Sequence, residues 1–142
     1  MKPELELEIR NATELCVKAH AGQFRRDGVT PYHTHPFAVA EKVPDELKPA
    51  ALLHDVIEDT TTTLAELFKI GSFSNRTLNA VWMVTRSSDI TYDNYMEVLM
   101  KSNDAIIIKI ADMEHNLSCD PSENSKRKIA KWLPKLKEVV RE

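Results

Sequence analysis

Residues 51–60, which read ALLHDVIEDT, constrain this chain more than any other stretch, because an apolar helix pattern there runs into a cluster of ligand-type side chains. Residues four apart on a helix share a face, which pairs His54 with Glu58 and Asp55 with Asp59. Unpaired carbonyl groups already make the C-terminal end of a helix electronegative, so carboxylates crowded there call for a compensating cation. A divalent metal ion is the simplest candidate.

The length and charge of the chain limit what else it can be. Its 142 residues fit one domain, 1–142, with one hydrophobic core. A net charge of −3 gives no general attraction to nucleic acid or to anionic membranes. The charged N-terminus does not resemble a signal peptide, and Cys16 and Cys119 form no CxxC pattern. We therefore expect a cytoplasmic protein with reduced core thiols, either a monomer or a homodimer.

Apolar residues recur at helical spacing along the chain, and no segment shows the alternation of a strand. The pattern predicts an all-α fold of about seven to eight helices. The expected segments are about 5–22, 34–43, 46–59, 63–71, 74–86, 91–99, 105–117 and 123–141. Helix caps are predicted at Thr34, Thr63 and Thr91, with Leu78, Val81 and Trp82 on one side of their helix. Pro134 is expected to kink or split the last helix.

Further ligand-type residues lie near helix ends or inside the apolar helix 105–117. His35 precedes the central helix, His54 and Asp55 lie on it, and Asp112 lies within 105–117. Together they would form a site of two nitrogens and two oxygens, which suits Mn²⁺, Fe²⁺ or Zn²⁺, with the carboxylates favouring Mn²⁺. Such an ion polarises a phosphate oxygen and lowers the pKa of bound water.

Each of these residues also has an ordinary structural interpretation. A lone buried histidine is usually a hydrogen-bonded core residue, which is our default for His33 and His115. Asp112 can pair with Lys109, which lies one helical turn earlier. Taken together these interpretations are weaker than the metal site, because a buried unpaired carboxylate is costly and the groups recur at element ends or in buried helices.

Three blocks of sequence, in this order, carry a resemblance to a known family. Residues 19–28 read AHAGQFRRDG and continue through Pro31 and Tyr32 to His35 and Pro36; residues 50–60 read AALLHDVIEDT; residues 108–117 read IKIADMEHNL. In order and spacing these blocks resemble the HD-superfamily metallohydrolases and, within them, the RelA/SpoT-type alarmone hydrolases. The resemblance extends over most of the chain, from residue 19 to residue 117.

The resemblance implies an HD-domain helical bundle that holds one Mn²⁺. By motif position its ligands would be His35, His54, Asp55 and Asp112. Glu58 and Asp59 would orient or activate the attacking water. The residues implied at the nucleotide are Arg25, Arg26 and Asn116, with Tyr32 and Lys109 as weaker candidates. Guanidinium groups suit that role because their planar heads stack on a base or fork onto a phosphate.

These substrate candidates have structural alternatives as well. Arg25 and Arg26 would then be solvated loop charges, and Asn116 a polar residue near a helix C-terminus. Tyr32 would pack under the loop, and Lys109 would serve as the partner of Asp112.

The implied activity is that of a small Mn²⁺-dependent phosphohydrolase acting on a phosphorylated nucleotide, most simply on the 3′-pyrophosphate of guanosine 3′,5′-bis(diphosphate), ppGpp. One alternative is a nucleotide monophosphatase, including one acting on NADPH-type substrates. Another is a non-catalytic nucleotide-sensing module, although a pure binder would not need both Glu58 and Asp59. Nucleic-acid or membrane binding by the basic face of the last helix is disfavoured, since its opposite face is a core stripe.

The chain departs from the family pattern at three positions. The link at residues 43–49 is short, Glu114 occupies a position that is usually apolar, and Asp27 stands where long bifunctional members often have serine. No synthetase domain is recognisable, so no ATP-dependent pyrophosphate transfer is expected.

Overall fold

The computed structural model describes residues 1–141, and its regular structure there is entirely helical. The elements are α1 (Pro3–Ala19), α2 (Thr34–Glu41), a 3-10 turn (Asp45–Leu47), α3 (Lys48–Leu53), α4 (Val56–Asp59), α5 (Leu64–Ile70), α6 (Asn75–Val84), α7 (Tyr92–Leu99), α8 (Asn103–Ser118) and α9 (Glu123–Val139). Since α3 and α4 are two halves of one expected helix, the prediction of an all-α fold with seven to eight helices is confirmed. Across residues 1–141, β-type pairing is confined to one isolated bridge between Phe24 and Pro31.

Helices α3 and α8 form the centre of the molecule. α3 packs against α1, α2 and α6, while α8 packs against α2, α6 and α9. Residues 49–53 of α3 are all buried, and α8 adds Ala105, Ile106 and Ile108 to the same core. A helix surrounded on most sides must be apolar nearly all round, which explains the composition of both segments. The site residues of α2, α3 and α8 therefore emerge from a rigid, packed interior.

The predicted continuous helix 46–59 is wrong, because α3 ends at Leu53 and α4 begins only at Val56. Asp55 has φ −105° and ψ 0°, in the sparsely populated bridge region where active-site residues are often found. A change in hydrogen bonding at one carbonyl group accompanies the break. The ring Nδ1 of His54 donates to the carbonyl oxygen of Ala51 at 2.6 Å, and in an unbroken helix the amide of Asp55 would take that oxygen.

Most helix ends follow the predicted chemistry. Thr63 and Thr91 each accept a hydrogen bond from the amide three residues later, as capping residues do. Gly71 ends α5 with a left-handed φ of +73°, which favours glycine. The predicted cap at Thr34 is wrong, because Thr34 is already inside α2 and its hydroxyl donates to a loop carbonyl. The capping position belongs to His33, whose side chain makes no capping bond.

Helix α9 continues through Pro134, so the predicted split does not occur. Pro134 is exposed, whereas Ile129, Trp132 and Leu136 are buried in the core. Packing of an amphipathic face supplies most of the stability of a helix in a protein, and here it holds the turns together on both sides of the proline.

Two other expectations about burial need correction. Trp82, grouped with Val81 on one side of its helix, is 56% exposed, while Val81 is fully buried. Both cysteines are free, but the expectation of core thiols holds for Cys16 alone, since Cys119 is exposed.

Crossing a membrane would require a longer and more apolar helix than any found between residues 1 and 141.

Candidate functional site

Three helical elements bring two histidines and two aspartates together. His35 comes from the second residue of α2, His54 and Asp55 from the break between α3 and α4, and Asp112 from α8. The Nε2 atom of His35 lies 2.7 Å from Oδ1 of Asp112 and 3.8 Å from Oδ2 of Asp55. The Nε2 atom of His54 lies 3.0 Å from the same oxygen of Asp55 and 3.4 Å from that of Asp112. The Nε2 atoms of the two histidines thus lie within 3.8 Å of the same two carboxylate oxygens.

The donor set fits a divalent metal ion. The Nδ1 atom of His54 must be the hydrogen donor toward the Ala51 carbonyl, because a carbonyl oxygen only accepts. Its Nε2 atom is buried without a hydrogen-bond partner, although carboxylate oxygens lie near it. Ligand atoms of His35, His54 and Asp55 all lie within 4.8 Å of one another. Nitrogen and carboxylate donors gathered in this way around an unpartnered buried nitrogen could hold a divalent cation.

The charges within the cluster agree with a cation-binding site. Burial opposes the charge on His54, but Asp55 and Asp112 raise its pKa well above the ordinary value. Burial likewise opposes the charge on Asp112, but Lys109 and the two histidines hold its pKa well below the ordinary value. The carboxylates therefore stay ionised and attract positive charge to Nε2 of His54, where a proton and a metal ion would compete for one lone pair.

Lys109 belongs to this cluster as well. Its Nζ atom lies 3.1 Å from Oδ2 of Asp112, with the rings of Tyr92 and Tyr95 within 5.8 Å. Burial opposes the lysine charge, but Asp112 raises the pKa of Lys109 well above its ordinary value. The sequence offered two alternatives for Asp112, pairing with Lys109 or joining the histidine cluster. In the structure Asp112 contacts both Lys109 and the histidines.

Glu58 and Asp59 lie on the exposed side of α4, next to Asp55. Carboxylate oxygens of the three residues lie within 4.8 Å of one another. Partial burial, with Asp55 and Glu58 nearby, raises the pKa of Asp59 to about 6. Partial burial also raises the pKa of Glu58, although the backbone amide of Arg86 donates to its carboxylate and lowers it again in part. Carboxyl groups tuned toward neutrality can exchange a proton with water at physiological pH.

The Asp59→Asn variant is expected to melt at a higher temperature than the wild type at about pH 7.5, without metal, and at the same temperature at about pH 3. The folded-state pKa of about 6 lies above the ordinary aspartate pKa of 3.8, so the native state prefers the protonated carboxyl. The stability contributed by that preference is present below the lower value and is lost as the pH rises through the higher one. Thermal melts in chelator measure the difference, and a difference that does not change with pH would contradict the shift.

The loop between α1 and α2 presents the predicted arginines beside α8. Arg25 donates to the side-chain oxygen of Asn116 at 3.0 Å, and Arg26 donates to the backbone oxygen of Asp120 at 3.0 Å. Asn116 in turn donates to Oδ1 of Asp112 at 3.2 Å. Both arginines line an open cavity of about 510 Å³ between this loop and the end of α8. Asn116 therefore connects the arginine loop to the His/Asp cluster.

Tyr32 lies against the cluster and holds one of its members. The Tyr32 hydroxyl donates to Oδ2 of Asp55 at 2.6 Å, and the guanidinium carbon of Arg25 lies 5.7 Å from the ring centroid. Burial and the neighbouring Asp55 raise the pKa of Tyr32 above its ordinary value, so it remains a donor. This geometry matches the alternative in which Tyr32 packs under the loop.

Two of the departures from the family pattern have local explanations. Asp27 accepts hydrogen bonds from the Thr30 hydroxyl and from the amides of Thr30 and Val29, both at 2.8 Å, which lowers the pKa of Asp27 to about 2. It therefore shapes its own loop. Glu114 pairs with Lys137 of α9, with 3.2 Å between Nζ and Oε2, so its polarity serves helix packing.

Sequence reasoning did not place His115 at the site, although it lies directly against His35. Its Nδ1 atom lies 2.7 Å from Nδ1 of His35, and its Nε2 atom lies 3.5 Å from Sγ of Cys119. Burial, followed by the nearby His35 and Arg25, lowers the pKa of His115. The one available signal was its position three residues after Asp112, which places both side chains on one face of α8.

No protein-family model matches the chain. The guanosine-3′,5′-bis(diphosphate) 3′-pyrophosphohydrolase of Aquifex aeolicus is 33% identical over 144 residues, which cover 91% of this chain and 20% of that protein. The chain therefore spans about a fifth of the length of this relative. The guanosine-3′,5′-bis(diphosphate) 3′-pyrophosphohydrolase MESH1 of Xenopus tropicalis is 30% identical over 150 residues, 94% of this chain and 83% of MESH1. The chain belongs to the MESH1 family.

The fold agrees with membership of the MESH1 family. A solved structure of a metazoan orthologue of SpoT, described as hydrolysing ppGpp, superimposes with a TM-score of 0.72. The superposition covers 99% of this chain and 87% of that one, at 22% sequence identity. The predicted HD-type helical bundle is thereby confirmed at the level of the fold.

Proposed function

We propose that the chain is a metal-dependent hydrolase that removes the 3′-pyrophosphate of ppGpp and uses Mn²⁺. The observation that carries the proposal is the buried cluster of His35, His54, Asp55 and Asp112 in a member of the MESH1 family. Two relatives of the chain are named for this reaction. The substrate is a small phosphorylated nucleotide, and we place the enzyme in the cytoplasm.

The four clustered residues would hold the ion through two imidazole nitrogens and two carboxylates. This mixed set favours Mn²⁺ over ions that prefer sulfur ligands. When bound, the ion supplies Lewis-acid stabilisation of charge on phosphate oxygens and favours the ionisation of water. Tyr32 fixes the orientation of Asp55 through its hydroxyl, and Lys109 balances the charge of Asp112.

Glu58 and Asp59 are the residues proposed to handle the attacking water. They lie beside Asp55 at the exposed edge of the cluster, and their raised pKa values suit the acceptance of a proton near neutral pH. Arg25 and Arg26 line the adjacent cavity, where their guanidinium groups would neutralise diphosphate charge or stack on the base. Asn116, bonded to both Arg25 and Asp112, would contact the nucleoside end of the substrate.

An assay of purified, metal-depleted chain tests this function. With Mn²⁺ added, we expect ppGpp and water to yield GDP and pyrophosphate, and we expect GTP to remain intact. Turnover with Fe²⁺ or Zn²⁺ alone would contradict the assignment of Mn²⁺. Release of the 2′-phosphate from NADPH without turnover of ppGpp would favour the monophosphatase. Binding of ppGpp without turnover under any of these ions would favour the sensing module.

A further inference from the structure

The rings of His35 and His115 meet through their Nδ1 atoms. These atoms are 2.7 Å apart, the ring centroids are 4.9 Å apart, and the ring planes differ by 25°. With so short a gap between the nitrogens and a much larger one between the centroids, the rings lie edge to edge and nearly in one plane. This is the geometry of a direct N–H···N hydrogen bond.

Such a bond has a direction, because one Nδ1 atom must carry the hydrogen and the other must not. If neutral His35 accepts, its own ring hydrogen lies on Nε2, which then cannot ligate a metal ion. If His35 donates, its Nε2 atom carries a lone pair on the side of Asp112 Oδ1, 2.7 Å away. Metal binding by His35 therefore requires His115 to accept the hydrogen bond.

The surroundings of His115 are compatible with the accepting form. With Nδ1 as acceptor, a neutral His115 carries its hydrogen on Nε2, which lies 3.5 Å from Sγ of Cys119 and can donate to it. A spacing of three residues places Asp112 and His115 on one face of α8, and Cys119 is the residue that directly follows this helix. His54 already has the arrangement that metal binding requires of His35. Its Nδ1 atom donates to the Ala51 carbonyl, and its Nε2 atom faces the carboxylates.

We propose that His115 is a positioning residue that fixes the tautomer and the ring orientation of His35. Outer partners of this kind usually are carboxylates, carbonyl groups or waters. In this chain the imidazole of His115 takes that place, and its other nitrogen contacts the exposed Cys119. The proposal rests on the proposed metal site and does not depend on which nucleotide is hydrolysed.

The experiment compares the Mn²⁺ dissociation constants of four metal-depleted chains, measured by titration calorimetry at one pH. Leucine and asparagine share the same branching, but asparagine keeps an acceptor where Nδ1 of histidine lies. We expect His115→Leu to weaken Mn²⁺ binding by about 10- to 100-fold. His115→Asn should bind within about threefold of the wild type. His33→Leu is the control, because His33 is half-buried against Phe37. This variant should bind Mn²⁺ as the wild type does.

Thermal melts without metal separate positioning from folding, since the Leu and Asn variants should melt alike and differ in Mn²⁺ affinity. Wild-type affinity in His115→Leu, or equal weakening in both variants, would overturn the proposal. A wild-type chain that binds no Mn²⁺ would overturn it together with the metal site. A wild type that binds Mn²⁺ but does not hydrolyse ppGpp would contradict only the proposed function, because the affinities still decide the role of His115.

Discussion

The Asp55→Asn variant is expected to lose both Mn²⁺-dependent hydrolysis and the rise in melting temperature that Mn²⁺ gives to the wild type. Asp55 contributes an oxygen 3.0 Å from Nε2 of His54, and asparagine keeps its shape but not its charge. Loss of an outer partner already weakens metal sites by about 10- to 100-fold, so loss of a charged ligand should exceed that range. A metal ion that binds the native state raises the melting temperature by mass action. A variant that no longer binds Mn²⁺ should therefore show no Mn²⁺-induced thermal shift.

The matched control for this variant is Asp93→Asn. Asp93 is exposed on α7 and pairs with Lys131 at 2.8 Å, outside the cluster. It should keep both the Mn²⁺-induced thermal shift and the activity. If Asp55→Asn keeps wild-type turnover with Mn²⁺, the four-residue cluster is not the site of the reaction.

The Glu58→Gln variant is expected to bind Mn²⁺ as the wild type does and to lose about 100- to 10,000-fold in kcat. The amide oxygen of glutamine can still accept the hydrogen bond from the Arg86 backbone, so the connection between α4 and the segment that follows α6 should survive. What disappears is the carboxylate beside Asp55 that would take a proton from water. Calorimetry gives the Mn²⁺ affinity, and single-turnover assays of ppGpp at saturating Mn²⁺ give the rate.

Glu97→Gln, an exposed substitution on α7, controls for the removal of a negative charge elsewhere. The two readouts decide between roles. Weaker Mn²⁺ binding in Glu58→Gln would make Glu58 a metal ligand, and an unchanged rate would show that it handles no proton.

Local sequence patterns predicted the helices because helical periodicity and Ser/Thr caps act over a few residues. The approach of His35, His54, Asp55 and Asp112 was predicted from residue chemistry, and it follows from a core in which α2, α3 and α8 pack together. The break after Leu53 was not predictable in this way, since it accompanies a side-chain hydrogen bond from His54 to the Ala51 carbonyl that helical periodicity does not reveal.

The pairing of side chains across the fold was also beyond the sequence. The bond between His35 and His115 joins residues 80 apart, and that between Arg25 and Asn116 joins residues 91 apart. Each of these side chains has several reasonable roles by itself. Which role it fills depends on how closely α8 approaches α2 and the loop between α1 and α2. Core packing sets that approach.

The interruption between α3 and α4 also divides the central segment by local stability. Residues 49–53 of α3 are enclosed by the core, so their amides should open to hydrogen exchange only when the whole domain unfolds. Helix α4 has four residues and carries the exposed Glu58 and Asp59. A segment so short can open at a much lower free energy. The proposed water-handling carboxylates would then move with an arriving substrate while α3 stays closed.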